Sequence, residues 1–202
     1  MKIAVTGSTS GVGQALVGLL EMRHEIIHLN RAKVDLGDPH AVMKSEVETC
    51  DMLINCAGTD RGGKIEFVQH NISDINEIMS VNLLAPLCLT QQALSKNPNC
   101  KIVNITSTNN NRYWPNNLAY SLSKTALEEF GSMLRVEYPD IDLLEVRLGL
   151  TKTNFNQNRY HTAPTRFVDI YEKHPYLTPE EVAIRIVAVL FDPVVKFIEI
   201  SP

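Results

Sequence analysis

Tyr120 and Lys124 stand four residues apart, and Ser107 lies thirteen residues before the tyrosine. On a helix, a spacing of four puts two side chains on one face. A tyrosine in water has a pKa of about 10 and is a poor acid at neutral pH. A lysine ammonium a few ångströms away favours the phenolate and lowers that value. Tyr120 tuned in this way can hand a proton to a carbonyl oxygen as the carbonyl carbon is reduced. A serine hydroxyl can hold that oxygen in place, with Thr106 and Thr108 as substitutes should Ser107 point away. Taken singly these are common residues. A tyrosine–lysine pair at helical spacing arises by chance, and Ser107 is one hydroxyl among many.

A second group sits near the N-terminus. The apolar run Ile3 to Val5 leads into Thr6-Gly7-Ser8-Thr9-Ser10-Gly11-Val12-Gly13-Gln14. Glycines let the backbone turn sharply and approach a ligand closely. A helix starting here would aim free N–H groups and its positive dipole end at the turn, where a pyrophosphate fits. The segment lacks the Gly-Lys-Ser/Thr ending of a nucleoside triphosphate loop. After the next strand the chain reads Leu29-Asn30-Arg31, with no acid before Asp35. A carboxylate there would repel the extra phosphate of NADP, whereas Arg31 can pair with it bidentately. NADP(H) is therefore expected over NAD(H), the alternative being that Arg31 is a solvated surface charge. A cationic nicotinamide beside Tyr120 would further favour the phenolate.

Both groups need a scaffold. Strands are expected at Ile3 to Val5, Glu25 to Leu29, Val34 to Leu36, Asp51 to Cys56, Lys101 to Ile105, Asp142 to Leu148 and Val195 to Ile200. Helical patterns fill the gaps: about Val12 to Leu20, Ala41 to Glu48 after Pro39, a long helix after Asp74, Leu118 to Tyr138, and a last helix to about Phe191. Pro86 should bend the long helix. Thr178-Pro179-Glu180-Glu181 is a strong helix start, with a threonine cap and a glutamate at the third position. Strand–helix alternation predicts a parallel sheet with helices on both faces. In such a sheet the carboxyl ends of the strands form the ligand crevice. The glycine turn, Asn55 to Gly58, and Ser107 with the loop after it should therefore share one rim.

Composition agrees with this frame. The 202 residues are 44% hydrophobic and 21% charged, and the net charge is −4. That excludes a collagen-like chain, a coiled coil or a disordered tail and argues against a nucleic-acid binder. No run of 18 apolar residues suggests a membrane span. Cys50, Cys56, Cys88 and Cys100 form no Cys-x-x-Cys pair. Free thiols in a reducing cytoplasm and no metal site are expected.

Taken together, these motifs resemble the short-chain dehydrogenase/reductase family, in its single-domain branch. Thr6-Gly7-x-x-x-Gly11-x-Gly13 is similar to the family's cofactor turn. Asn55-Cys56-Ala57-Gly58 resembles its Asn-Asn-Ala-Gly turn, with cysteine at the second place. Val81-Asn82, Ser107, Tyr120-x-x-x-Lys124, Leu148-Gly149-x-x-x-Thr153 and Thr178-Pro179-Glu180-Glu181-Val182-Ala183 follow in the family's order, with leucine where it has proline before Gly149. The resemblance implies a Rossmann-like doubly wound sheet of about seven strands, order 3-2-1-4-5-6-7, over one domain spanning residues 1–202. It implies a carbonyl–alcohol oxidoreductase with Tyr120 as general acid/base, Lys124 as its tuner and ribose ligand, and Ser107 orienting the carbonyl. Asn82 would hold a water in a proton relay. Thr6, Gly7, Ser8, Thr9, Ser10, Gly11, Val12, Gly13, Asn30, Arg31, Asn55, Ala57 and Gly58 would line the cofactor. Asp35, beside Leu36, would meet the adenine, and Gly149 and Thr153 the nicotinamide end. Leucine at 148 is expected to loosen the turn there.

Two loops should set the substrate: Asn109 to Asn117, with Arg112, Tyr113 and Trp114, and a lid-length loop from Asn154 to Leu177. The second carries Arg159, Tyr160, His161, Arg166, Phe167 and Tyr171. Their aromatic and basic content fits a flat or anionic carbonyl compound, or equally a packed loop steering the anionic cofactor. The resemblance also implies a homodimer through the helices near residues 74–95 and 118–138. Two rival functions share the fold. One is a non-catalytic NADP(H)-binding sensor, against which the intact Ser–Tyr–Lys set argues. The other is a nucleotide-sugar epimerase, against which the glycine spacing argues. Relatives are usually longer, so a trimmed but complete reductase in a smaller assembly is expected.

Overall fold

The computed structural model describes residues 1–44, 49–110, 114–159 and 170–202. Six strands form one sheet: β1 (Lys2–Thr6), β2 (Glu25–Leu29), β3 (Met52–Asn55), β4 (Lys101–Ser107), β5 (Leu143–Leu148) and β6 (Phe197–Ile200). All neighbours pair in parallel, in the order β2-β1-β3-β4-β5-β6. The helices are α1 (Gly11–Leu20), α2 (Pro39–Lys44), α3 (Ile72–Met79), α4 (Ala85–Lys96), α5 (Leu118–Glu137), α6 (Phe155–Arg159) and α7 (Pro179–Leu190).

Alternation along each strand splits the apolar residues between two layers, because successive side chains point to opposite faces. Ile3, Val5, Met52, Ile54, Val103, Val146 and Ile200 meet α1 and α7 on one face. Ala4, Leu53, Ile102 and Leu143 meet Val81, Ala85, Leu89 and Leu134 on the other. The chain leaves β1 toward one edge and returns to β3 on the other side. This reversal of direction opens a crevice at the strands' carboxyl ends.

Two expectations change. Val34 to Leu36 is not a strand, so the sheet has six strands where about seven were expected. Turns flank this segment on both sides: Val34 N–H, like that of Lys33, donates to the Asn30 carbonyl at 2.9 Å, and Asp38 N–H donates to the Asp35 carbonyl. Val34 and Leu36 are nevertheless buried in the second layer. The long helix is not simply bent at Pro86 but passes through a π-helical turn at Ser80–Leu84, joining α3 to α4. Pro86 has no N–H to give the Asn82 carbonyl one turn back, and Ala85 N–H donates to the Ser80 carbonyl, five residues away. The helical run Ile72–Lys96 has the length and mean hydropathy of a membrane span, yet Ile78, Ala85, Leu89 and Ala93 along it are core residues. The capping box of α7 forms as read: Glu181 N–H donates to Thr178 Oγ1 at 3.2 Å, and Thr178 N–H to Glu181 Oε2 at 2.8 Å. The second half of the expected Ala41 to Glu48 helix lies outside the described residues.

Candidate active site

The crevice encloses about 1020 Å³, at the upper end of the roughly 300–1,000 Å³ usual for small-molecule sites. Gly7, Gly11, Val12 and Gly13 line one end, with Thr9 and Ser10. Gly7 takes φ +67°, and a Cβ there would lie 3.0 Å from the Ala57 Cα; at Gly13 a Cβ would lie 2.3 Å from the Gly7 carbonyl oxygen. Only glycine lets this loop close so tightly on itself and on the end of β3. The Ser10 side chain makes no cap bond to α1, so the first N–H groups of that helix remain for an anionic ligand.

Asn30, Arg31, Asp35 and Leu36 also line this end. Arg31 is 85% exposed, with Glu77 Oε1 at 4.0 Å. Asp35 Oδ1 accepts from Gly37 N–H at 2.9 Å, and Asn30 Oδ1 from Ala32 N–H at 3.1 Å. No carboxylate stands at the end of β2 itself, where the strand closes on Leu29.

Several expected contacts stand behind the wall instead. Thr6, Ser8, Asn55 and Asn82 do not line the crevice. Thr6 is buried, and its Oγ1 accepts from the N–H groups of both Cys56 and Ala57 at 2.9 Å. It is a strut between β1 and the turn after β3. Asn55 Nδ2 donates to Asn104 Oδ1 at 3.0 Å, and Asn104 Nδ2 to Glu145 Oε1 at 3.0 Å. This polar file runs across β3, β4 and β5. Asn82 is fully buried; its amide accepts from Thr59 N–H and donates to the Thr59 carbonyl, both at 2.8 Å, and also donates to Ser123 Oγ at 2.9 Å. It thereby fixes the strand-end loop to α5.

The Ser–Tyr–Lys set converges. Ser107 ends β4, and Tyr120 and Lys124 face it from the first turns of α5; all three line the crevice. The Ser107 hydroxyl, which accepts from Asn109 N–H at 3.2 Å, acts on the Tyr120 phenol in the direction that favours the phenolate. Lys124 Nζ donates to the Ile105 carbonyl at 2.9 Å, close to Gly58, where a Cβ would lie 3.5 Å from Nζ. Burial holds the Lys124 ammonium down to about 8, against the attraction of nearby acidic groups. The Cys56 thiol is pushed up to about 11 by burial and stays protonated beside it.

The electrostatics at Tyr120 correct the simple expectation. Burial raises the phenol above its ordinary value; the Arg159 charge and the Ser107 hydroxyl oppose this, and Asp60 adds to the rise. Arg159 thus joins Lys124 as a cation near Tyr120, with its guanidinium 5.7 Å from the centre of the tyrosine ring. Phe155 packs on the same ring at 5.6 Å. Arg159 is itself clamped by Asp60, Nε to Oδ2 at 2.6 Å, with both side chains more than nine-tenths buried. Sequence reading placed Arg159 in the loop after β5 but missed Asp60 and Lys64. Asp60 lies two residues past the Asn-Cys-Ala-Gly turn, where no periodicity marks a buried acid.

The turn after β5 is pinned despite leucine at 148. Gly149 N–H donates to the Ile200 carbonyl at 2.8 Å. Thr153 N–H and Asn156 Nδ2 donate to the Tyr171 hydroxyl, which donates in turn to the Thr151 carbonyl at 3.1 Å. Both ends of the expected lid are thus tied together. Arg112 and Tyr113, and Tyr160, His161, Arg166 and Phe167 in that lid, lie outside the described residues.

A family profile described as short chain dehydrogenase matches residues 38–164, well over half of the chain. The NADP-dependent 3-hydroxy acid dehydrogenase of Schizosaccharomyces pombe is 27% identical over 90% of this chain and 83% of its own. Among solved structures, the closed form of a serine dehydrogenase complexed with NADP+ superposes with a TM-score of 0.86, at 19% identity over 100% of this chain and 95% of its own. A small-chain dehydrogenase in complex with NADPH superposes at 0.84, with 16% identity over 100% of this chain and 96% of its own. With the glycine turn, the reversal point of the sheet and the Ser–Tyr–Lys set on one crevice, the chain belongs to the short-chain dehydrogenase family.

Proposed function

We propose that this protein is an NADP(H)-dependent oxidoreductase that interconverts an alcohol and a carbonyl on a small molecule. The observation that carries this reading is the buried Tyr120, set with Ser107 and Lys124 on the wall of a crevice whose far end is a phosphate-type glycine turn. The NADP-bound relatives support the choice of cofactor.

The residues present fit that cofactor. The uncapped start of α1 with Gly7, Gly11 and Gly13 would hold the pyrophosphate. Arg31 would meet the extra phosphate, and Asp35 and Leu36 the adenine side. Lys124 would reach the nicotinamide ribose, and Thr153 the carboxamide. The bound cofactor would supply or accept the hydride. Ser107 would orient the carbonyl oxygen, and Tyr120, protonated at neutral pH, would donate the proton that this oxygen takes up. Asn82 would support the relay that reprotonates the tyrosine past Lys124.

Leu118, Leu122, Met133 and Val136 on α5 and Leu84 before α4 are exposed; they support a homodimer built on these helices. The four free thiols support a reducing, cytoplasmic setting, with residues 1–202 acting as one catalytic unit. Tyr120→Phe tests the reading: NADPH titration should be unchanged and turnover across a carbonyl panel should fall by about 10²–10⁴-fold. Unchanged turnover overturns it, and NADPH binding without turnover in the wild type favours a sensor.

A further inference from the structure

Beyond the Ser–Tyr–Lys set, the crevice holds a group of charges that hydride transfer does not require. Arg159, Asp60 and Lys64 all line it beside Tyr120. Arg159 comes from α6 and Asp60 and Lys64 from the loop after β3, so two separate segments converge. The guanidinium is not simply neutralised. Asp60 engages it through Nε, and among the described residues no hydrogen bond forms from its Nη groups. A guanidinium offers five N–H donors in a planar fork, so the outer edge remains for a second planar anion. The plane is fixed as well, with the Phe155 ring at 5.2 Å and the Tyr120 ring at 5.7 Å.

Lys64 supplies a second cation. Its ammonium lies 5.8 Å from the Trp114 ring centre, and among the described residues it forms no ion pair. Burial and the charge of Arg159 push it below its ordinary value, while Asp60 draws it up. Two cations thus stand near one buried carboxylate, which is paired with Arg159 alone. Arg61 next door adds nothing to this excess, because Asp74 and Glu77 hold it at 3.4 and 3.2 Å. His70 and His174 are the other titratable groups near, the first acting on Asp60 and the second on the crevice wall. Two cations against one buried carboxylate, a fork with an open edge, and an aromatic wall describe a carboxylate pocket.

We infer that Arg159, clamped by Asp60, and Lys64 form a carboxylate subsite beside Tyr120, so that the substrates are small oxo acids and their hydroxy acids. This rests on the alcohol–carbonyl reading above. Asp60 is a positioning residue here. It aims the fork and withholds one edge, while Arg159 and Lys64 touch the substrate.

The test compares acids with their own neutral esters. Acetoacetate and methyl acetoacetate are reduced with NADPH by the wild type, Arg159→Met, Arg159→Lys and Lys64→Gln proteins. Binding of 3-hydroxybutyrate and its methyl ester to the NADP-loaded proteins is measured in parallel, independently of turnover. The wild type should favour acid over ester by at least tenfold in kcat/KM. Arg159→Met should erase that ratio through the KM of the acid, Arg159→Lys should keep part of it, and Lys64→Gln should reduce it several-fold. Arg159 also acts on Tyr120, but a changed tyrosine affects acid and ester alike, so the ratio isolates the subsite. Equal acid and ester values in the wild type, or equal losses for both in Arg159→Met, overturn the subsite and leave the oxidoreductase reading intact. Binding of the acid that depends on Arg159 with no turnover of either compound supports the subsite and refutes the oxidoreductase. If Arg159→Met does not fold, Lys64→Gln and Arg159→Lys decide by the same ratio.

Discussion

Thr6→Val replaces a hydroxyl by a methyl of nearly the same shape, at a residue only 3% exposed. In the wild type Thr6 Oγ1 accepts from two backbone N–H groups, those of Cys56 and Ala57, both at 2.9 Å, and donates weakly to the Ile54 carbonyl at 3.4 Å. Valine leaves both N–H groups facing a methyl. A buried donor left without a partner costs about 1–3 kcal/mol. Cys56 and Ala57 are only half-buried, so water recovers part of that, and the sum should be about 2–4 kcal/mol. For a chain of this size each kcal/mol moves the melting temperature by about 2–4 °C, a drop of roughly 4–16 °C. Equilibrium urea unfolding measures the free energy directly, with Thr6→Ser as a control that keeps the acceptor and should lose about 1 kcal/mol or less. NADPH titration gives a second reading: Ala57 and Gly58 line the crevice, so a turn freed from its strut should bind the cofactor at least several-fold more weakly. A valine variant within about 0.5 kcal/mol of wild type would refute the strut and return Thr6 to the cofactor contacts.

Gly13→Ala places a Cβ 2.3 Å from the Gly7 carbonyl oxygen. Because backbone is the obstacle, the turn must open, and NADPH affinity should fall by more than tenfold in a fluorescence titration; an unchanged Kd would contradict the geometry. Glu145→Gln should flatten the pH dependence of stability. Burial pushes the Glu145 carboxyl from 4.5 up to about 8, so between those values the folded chain holds a proton that the unfolded chain has released. That contribution is fully present below pH 4.5 and is lost as pH rises through about 8. The variant should match wild type near pH 4.5 and exceed it by on the order of a few kcal/mol at pH 9, read by urea unfolding at each pH. Parallel curves for the two proteins would mean that Glu145 is ionised throughout.

Most of this fold could be read from local chemistry. Apolar runs such as Ile3 to Val5 and Leu53 to Ile54 had no stable home but a sheet interior, and Thr178 with Glu181 announced the start of α7. Val34 to Leu36 shows where that reasoning stops. Its apolar residues do go into the core, as their types demand, but turns built on Asn30 and Asp35 close in from both ends. The π turn escaped for a similar reason: a proline at 86 signals a lost hydrogen bond, but not whether the helix bends or slips register. At the site, Tyr120, Lys124 and Ser107 were legible because their spacing and strand-end positions carry the geometry. Asp60 and Lys64 were not, since the Asp60–Arg159 pair joins residues almost a hundred positions apart and depends on how the loop after β3 meets α6 at the crevice.

That convergence also assigns different work to the two cations near the tyrosine. Lys124 lies at the bottom of the crevice, bonded to the Ile105 carbonyl, and its burial costs it part of its charge near pH 8. Arg159 keeps its charge at any accessible pH and lies 5.7 Å from the centre of the tyrosine ring. Tyr120 also sits in the first turn of α5, where the positive end of the helix favours a phenolate. Burial wins nonetheless and keeps the phenol protonated, which is the form a carbonyl reduction needs. In the proposed reaction the strand ends would fix where the proton is given, while Arg159 at the end of α6 would modulate how readily. On that reading a change at Arg159 would alter substrate choice and proton transfer together, without touching Ser107, Tyr120 or Lys124.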